Sequence, residues 1–473
     1  MALDPVQLIW FRQDLRLADN PALCAAATAG RLLPVYILDD VNAPPWRMGA
    51  ASRVWLHHAL HSLNASLSGQ LRIFTGDPLQ ILPRLCAQHS VQAVHWSRCY
   101  EPWRTKRDRQ IEAALSRAGI AVHTHNGSLL WEPWEVLKAD GAPYRVFTPY
   151  FRRGCLQAPP PRPPLKIPPL RIARRTCTGG MEAATSEDLR LLPDKPWHTA
   201  VVADWQISEA GAQAALAAFL QRGLPRYRQG RDRPAEQATS RLSPYLHFGQ
   251  LSPNQVWYAV HGRGADPNLE HFASELGWRE FSYSLLYHFP ALPEQCLQAK
   301  FERFPWGQDP ARLKAWQRGQ TGHPLVDAGM RELWQTGTMH NRVRMVVASF
   351  LVKNLLLDWR CGARWFWDCL FDADLANNSA SWQWVAGCGA DAAPYFRIFN
   401  PITQGEKFDP DGQYTRRYLP ELARLPAKYL YKPWAAPPPV LCAANIRLGE
   451  DYPHPLVDIQ PSRQRALAAF SAL

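Results

Sequence analysis

No CxxC pair occurs among the ten cysteines of this 473-residue chain. That excludes the common zinc spacings and a dense disulfide framework. Cys24, Cys86, Cys99, Cys155, Cys177, Cys296, Cys361, Cys369, Cys388 and Cys442 are scattered, as free thiols of a reducing compartment are. No GxGxxG is present, so the dinucleotide fingerprint is missing. No apolar run is long enough to span a bilayer, and Met1 to Arg12 does not read as a signal peptide. These absences lead us to expect a cytoplasmic protein with no membrane role and no metal site.

Charge and aromatic content are what the chain has in excess. A formal net charge of +12 and a pI near 9.3 favour a polyanionic partner such as nucleic acid. The twenty tryptophans supply flat surface for packing and for stacking on other rings. Hydrophobic residues at 47% are enough for substantial cores. The length suggests two to three domains of roughly 100–200 residues each.

Strand and helix signals alternate at the start of the chain. Val6–Phe11, Arg31–Leu38, Leu71–Phe74, Val91–His95 and Ile120–His123 read as strands, and Asn20–Ala27 and Ser52–Leu67 as helices. This spacing predicts a doubly wound parallel sheet over residues 1–135. The Pro- and Arg-rich stretch from Ala158 to Gly180 admits neither helix nor central strand and falls in an interdomain linker, residues 136–207. From 208 to 473 the helical period dominates, which predicts a larger all-α domain. Pro437-Pro438-Pro439 reads as a loop.

Four segments concentrate chemistry. Thr239, Ser240, Arg241, Leu242 and Ser243 put hydroxyls beside an arginine at a helix start, with Tyr227 and Arg231 upstream. This composition suits a phosphate, or equally an ordinary cap. Glu275, Trp278 and Arg279 share one helical face, a solvated ion-pair face or the wall of a site for a flat polar ring. Asn341, Arg344 and Met345 share a face of a helix that continues through Val346, Val347, Phe350 and Leu351 into a core. Polar groups at such a mouth either pair within the protein or bind something. In Asp372–Trp384 two acids, three amides and two indoles crowd together without metal-ligand spacing. A carboxylate accepting a ring N–H, or pairing with Arg344, fits that segment better.

These segments resemble the photolyase/cryptochrome family. So do Trp10–Leu17, Trp316–Pro324, Asp327–Arg331 and Phe396–Pro401. The resemblance runs from about Leu8 almost to the end of the chain and looks most like the bacterial dimer photolyases of classes I and III. It implies an antenna-type domain at 1–135 and a FAD-binding, DNA-lesion domain at 208–473. On the FAD it implies Tyr227, Thr239, Ser240, Arg241, Leu242 and Ser243 on the phosphate side, and Phe272, Asn341, Arg344, Asp372, Asp374 and Asn378 around the rest. Asn378 falls where the family contacts flavin N5, and asparagine there resembles repair enzymes. On the lesion it implies Glu275, Trp278, Arg342, Met345, Trp384 and Arg397. Trp382, Trp359 and Trp306 match its electron-transfer chain.

The activity implied is light-driven repair of cyclobutane pyrimidine dimers, with damaged DNA as partner and the protein a monomer. A cryptochrome-type light sensor is the alternative. A (6-4) photolyase ranks low, because those enzymes show His where this chain has Asn341 and Met345. A second antenna chromophore, a folate or a deazaflavin, is also implied. Trp103-Arg104 stands where an enterobacterial folate site has Asn-Glu, a departure that puts folate in that site in doubt.

Overall fold

The computed structural model describes residues 4–173, 183–262, 264, 266–392 and 396–473. Cys177 and the end of the Pro/Arg-rich stretch lie outside these. The chain divides into two compact units: residues 1–144, 148–221 and 240–290 form the first, and 145–147, 222–239 and 291–473 the second.

The first unit is built on the expected sheet. Strands β1 (Val6–Phe11), β2 (Arg31–Leu38), β3 (Arg72–Thr75), β4 (Val91–Ser97) and β5 (Ala121–His125) lie in the order β3-β2-β1-β4-β5. All four pairings are parallel. Between the strands run α1 (Pro21–Ala29), α2 (Ala50–Ser66), α3 (Pro78–His89) and α4 (Pro102–Arg117). α1 and α3 are capped by Asn20 and Asp77, and each helix has proline in its first turn, where no N–H is needed. Leu8, Trp10, Leu33, Val35, Leu82, Val94 and Ile111 form the core between sheet and helices.

The order places the topological switch between β1 and β4. There the Arg12 guanidinium donates to Asp108 at 2.5 Å, and Ser97 Oγ donates to Asp14 at 2.7 Å. The proline-rich stretch has no regular structure from 159 to 171 and is pinned by its carbonyls. Trp131 Nε1 donates to Pro159 O at 2.9 Å, and Asn254 Nδ2 to Arg162 O at 2.8 Å. The first unit also takes in the helices Ser243–Phe248, Pro253–His261 and Pro267–His288, which the sequence grouped with the α domain.

The second unit is helical among its described residues. Val343, Val346, Val347, Phe350 and Leu351 recur at helical spacing and are all buried at 0%, so the Asn341–Ser349 helix and the turn after it carry the core. Each such side chain contributes roughly 1.5–3 kcal/mol of burial. The Pro324–Thr336 helix ends on Gly337 at φ +65°, where a Cβ would stand 2.7 Å from the Phe371 ring, so glycine is required there. Pro438 opens a helix, Pro438–Ala444, where a loop was expected. Proline at the first helical position sacrifices no intrahelical bond. Among the described residues no helix is long and apolar enough to cross a membrane.

Candidate functional site

In the first unit, Glu275 and Trp278 stand on the 22-residue helix Pro267–His288, both partly exposed. Gly277 lets the Phe151 ring close on this helix, since a Cβ there would meet it at 2.4 Å. Arg279 follows one turn after Glu275 on the same helix. Its Nη1 donates to Ser128 O at 2.8 Å and to Glu280 at 3.2 Å. Glu280, 2% exposed, accepts the N–H groups of Leu130 (2.8 Å) and Trp131 (3.2 Å). Burial pushes its carboxyl up to about 7, against the lowering effect of Arg279. Arg279 and Glu280 therefore anchor the helix that presents Glu275 and Trp278.

Phe272 is buried on that helix with its ring 4.6 Å from Phe219. Leu242 is buried as well, its N–H donating to Ser240 Oγ at 3.4 Å. Arg241, at φ +53°, lays its guanidinium 4.3 Å from the Trp205 ring. Ser243 opens the Ser243–Phe248 helix and is exposed.

In the second unit, the Asn341–Ser349 helix starts after His340, whose Nδ1 accepts the Arg342 N–H at 3.2 Å. Asn341 is exposed at the helix start, and Met345 is partly buried one turn on. Arg344 donates through Nη2 to both Asp372 oxygens (3.1 and 3.0 Å) and through Nε to Met339 O (2.8 Å). This is one of the two arrangements the sequence left open for that segment. Arg342 donates to Asp232 at 2.8 Å and covers the Phe408 ring at 4.4 Å. The Asp232 contact brings the segment of Tyr227 to the same helix start, and Arg231 lies 5.5 Å from the Tyr227 ring. Thr239, also of this unit, is partly buried.

Asp374 caps the Leu375–Ala386 helix, its Oδ1 accepting the Asn377 N–H at 2.8 Å. One turn later Asn378 donates its Nδ2 to Ala363 O at 2.9 Å. That bond fixes which end of the amide donates and leaves Oδ1 as an acceptor with no partner among the described residues. Trp384 is partly buried with the Arg397 guanidinium 5.8 Å from its ring.

Trp382 and Trp359 are buried at 2% and 0%, and Trp306 packs against the same core. Gly362 lies against Trp382, one turn into the helix that Trp359 opens. Gly307, next to Trp306, donates its N–H to Leu356 O at 2.7 Å. All three indoles thus belong to, or pack against, one hydrophobic core. Trp316 and Phe366 flank Trp382 at 6.3 and 5.0 Å between ring centres. A Cβ on Gly362 would stand 2.1 Å from Trp382, so Gly362→Ala is expected to cost about 1–3 kcal/mol by overpacking. Denaturant unfolding, with near-ultraviolet circular dichroism for the displaced indole, checks it.

Sequence reasoning missed Asp232, His340, Trp316 and Phe366. Three had a signal: Asp232 adjoins Arg231, His340 lies inside the motif that carries Asn341, and Trp316 opens a motif that carries the resemblance. The donors of the second unit fit a flavin dinucleotide. Among the described residues Thr239 and Asn341 make no side-chain hydrogen bond, the Asn378 Oδ1 has no partner, and the Arg344–Asp372 pair offers a donor beside an acceptor.

Residues 7–168 match the family described as DNA photolyase, and residues 272–472 the FAD binding domain of DNA photolyase. The chain is 46% identical to the deoxyribodipyrimidine photo-lyase of Agrobacterium fabrum, over 98% of each protein. It is 37% identical to cryptochrome-2 of Arabidopsis thaliana, over 100% of this chain and 79% of that one. The crystal structure of a bacterial class III photolyase from Agrobacterium tumefaciens superimposes with a TM-score of 0.94 at 45% identity, covering 100% of this chain and 98% of that one. With a doubly wound first unit, a helical second unit and this kinship along its whole length, the chain belongs to the photolyase/cryptochrome family.

Proposed function

We propose that this chain is a deoxyribodipyrimidine photo-lyase that repairs cyclobutane pyrimidine dimers in DNA under blue light. The observation that carries the reading is Asn378. Its amide Nδ2 is held by Ala363 O, which leaves Oδ1 as an acceptor with no partner among the described residues, suited to a protonated flavin nitrogen. FAD, when bound, supplies the light-driven electron donor. Arg344, Asp372, Asp374 and Asn341 hold it by hydrogen bonds, with Thr239, Ser240 and Ser243 for its phosphates. Tyr227, Arg241, Leu242 and Phe272 complete the contacts.

A dimer inside a duplex is unreachable, so the damaged bases are taken out of the stack. Glu275 hydrogen-bonds the flipped pyrimidine and steadies the negative charge it takes up. Trp278, Trp384 and Met345 pack on its apolar faces. Arg397 and Arg342 serve the phosphates, which makes binding salt-dependent in a chain of net charge +12. Trp382, Trp359 and Trp306 would serve as the relay of electrons towards bound FAD. Residues 1–135 are the place for a second, light-harvesting chromophore.

The test is repair itself. Reduced, FAD-loaded protein is mixed with an oligothymidine carrying cyclobutane dimers, and recovery of thymine absorbance is followed under blue light. Glu275→Ala is expected to slow recovery by about 10- to 100-fold, the worth of a charged hydrogen bond, and Trp278→Ala to weaken substrate binding. No recovery from fully reduced protein would favour the light-sensor reading.

A further inference from the structure

Two buried polar side chains of the second unit stand four residues apart on one helical run. Ser349 ends the Asn341–Ser349 helix, and Lys353 lies in the wider turn that continues it, Phe350–Asn354. Lys353 Nζ donates to Ala386 O at 2.7 Å. That carbonyl closes the Leu375–Ala386 helix, where no intrahelical N–H reaches it. The same nitrogen lies 2.9 Å from the centre of the Phe396 ring, where an N–H can point into the ring face. Gly387 lets ring and amine close on the helix end. It takes φ +93°, and a Cβ there would stand 3.0 Å from Phe396 and 3.4 Å from Lys353 Nζ.

Four residues before Lys353, Ser349 Oγ accepts the Phe399 N–H at 3.1 Å. The segment Phe396–Phe399 has no regular structure, and it is held at both ends from this one helical run. The Phe396 ring also stacks on Phe470, with 4.4 Å between centres. Arg397 falls between the two holding points and is exposed, its guanidinium 5.8 Å from the Trp384 ring. Trp384 in turn lies two residues before Ala386, on the helix that Lys353 caps. A buried amine is a costly way to fill a core, because a hydrocarbon of the same length desolvates no nitrogen. Burial pushes the Lys353 pKa well below the ordinary lysine value. What the nitrogen provides is a tie between a helix end and a segment without regular structure.

We propose that Lys353 is a positioning residue of the lesion site: with Ser349 it sets Arg397 against Trp384. The tie between the two segments stands by itself; its bearing on the lesion rests on the repair reading.

Two measurements on full-length, FAD-loaded protein test it. Hydrogen exchange read by mass spectrometry, without DNA, follows peptides spanning 397–399. In Lys353→Met these amides are expected to exchange about tenfold faster, the worth of about one hydrogen bond. Those of the Asn341–Ser349 helix should keep their wild-type rates. Ser349→Ala should act in the same direction, and it serves if Lys353→Met does not fold. The second measurement separates binding of a dimer-carrying oligothymidine from repair at saturating DNA. Lys353→Met is expected to weaken binding about tenfold and to lower the saturated repair rate by no more than about twofold. Combined with Arg397→Ala it should add little to the loss that Arg397→Ala causes alone, since both act through one contact. Unchanged exchange at 397–399 would overturn the tie. Equal acceleration in the Asn341–Ser349 helix would reduce Lys353 to a core residue. Binding losses that simply add would overturn its action through Arg397. Wild type that neither binds nor repairs dimers would sink the repair reading, and exchange would still decide the tie.

Discussion

Arg344→Ala is expected to yield protein that purifies without flavin absorbance and is less stable by about 3–5 kcal/mol, the cost of stranding a buried charge. Asp372 has a side chain only 7% exposed, and Arg344, at 26%, is the partner of both its oxygens. Removing the guanidinium leaves that carboxylate facing the core, and Met339 O loses its Nε donor as well. The open edge of the pair on the Arg344 side places the effect toward the lower end. Arg344→Ala combined with Asp372→Ala separates the two roles. The double variant should regain most of the stability, because no charge is stranded, and should still lack flavin. Urea unfolding reads the first effect and visible absorbance the second. Full flavin content and unchanged stability in Arg344→Ala would remove this pair from the proposed site.

The part of this arrangement legible in the sequence was the part fixed by local spacing. Alternating apolar runs gave the five strands to within a residue or two, because period and length decide strand against helix. The Asn341 segment was legible as a helix entering a core, since Val346, Val347, Phe350 and Leu351 recur at its period. Side-chain direction was not legible where a distant residue decides it. Arg279 shares a face with Glu275 by spacing, but no spacing names Ser128 O, 151 residues earlier, as an acceptor of its Nη1. Glu280 follows in the motif with nothing to mark it as buried. Arg342 was read as a lesion contact, and its partner Asp232 stands more than a hundred residues earlier. Gln383 has the same character: no spacing rule links its side chain to Leu292 O, Gln295 O and the Leu297 N–H, about ninety residues earlier.

The same core predicts acid lability centred on histidine. His323 and His340 are held neutral by burial, each with its pKa lowered from 6.5 to about 4. A histidine with a folded value below its unfolded one takes up its proton on unfolding. Its contribution to stability is present above pH 6.5 and is lost as pH falls through about 4. Each is worth about 3 kcal/mol over that window. His323 is 1% exposed and donates through Nε2 to Val457 O at 3.1 Å, leaving Nδ1 buried and unpartnered. His340 has more at stake, because its Nδ1 accepts the N–H of Arg342, and protonation would remove that cap. The residues that follow the cap are Asn341, Arg342 and Arg344, so acid should loosen the proposed flavin contacts before the whole unit unfolds. His340→Asn keeps a capping oxygen and does not titrate. Between pH 7 and pH 4, wild type is expected to lose about 3 kcal/mol more than His340→Asn in denaturant unfolding. Flavin release should begin at higher pH in wild type than in the variant. Equal pH slopes for the two proteins would show that His340 is not the group that couples acid to the start of this helix.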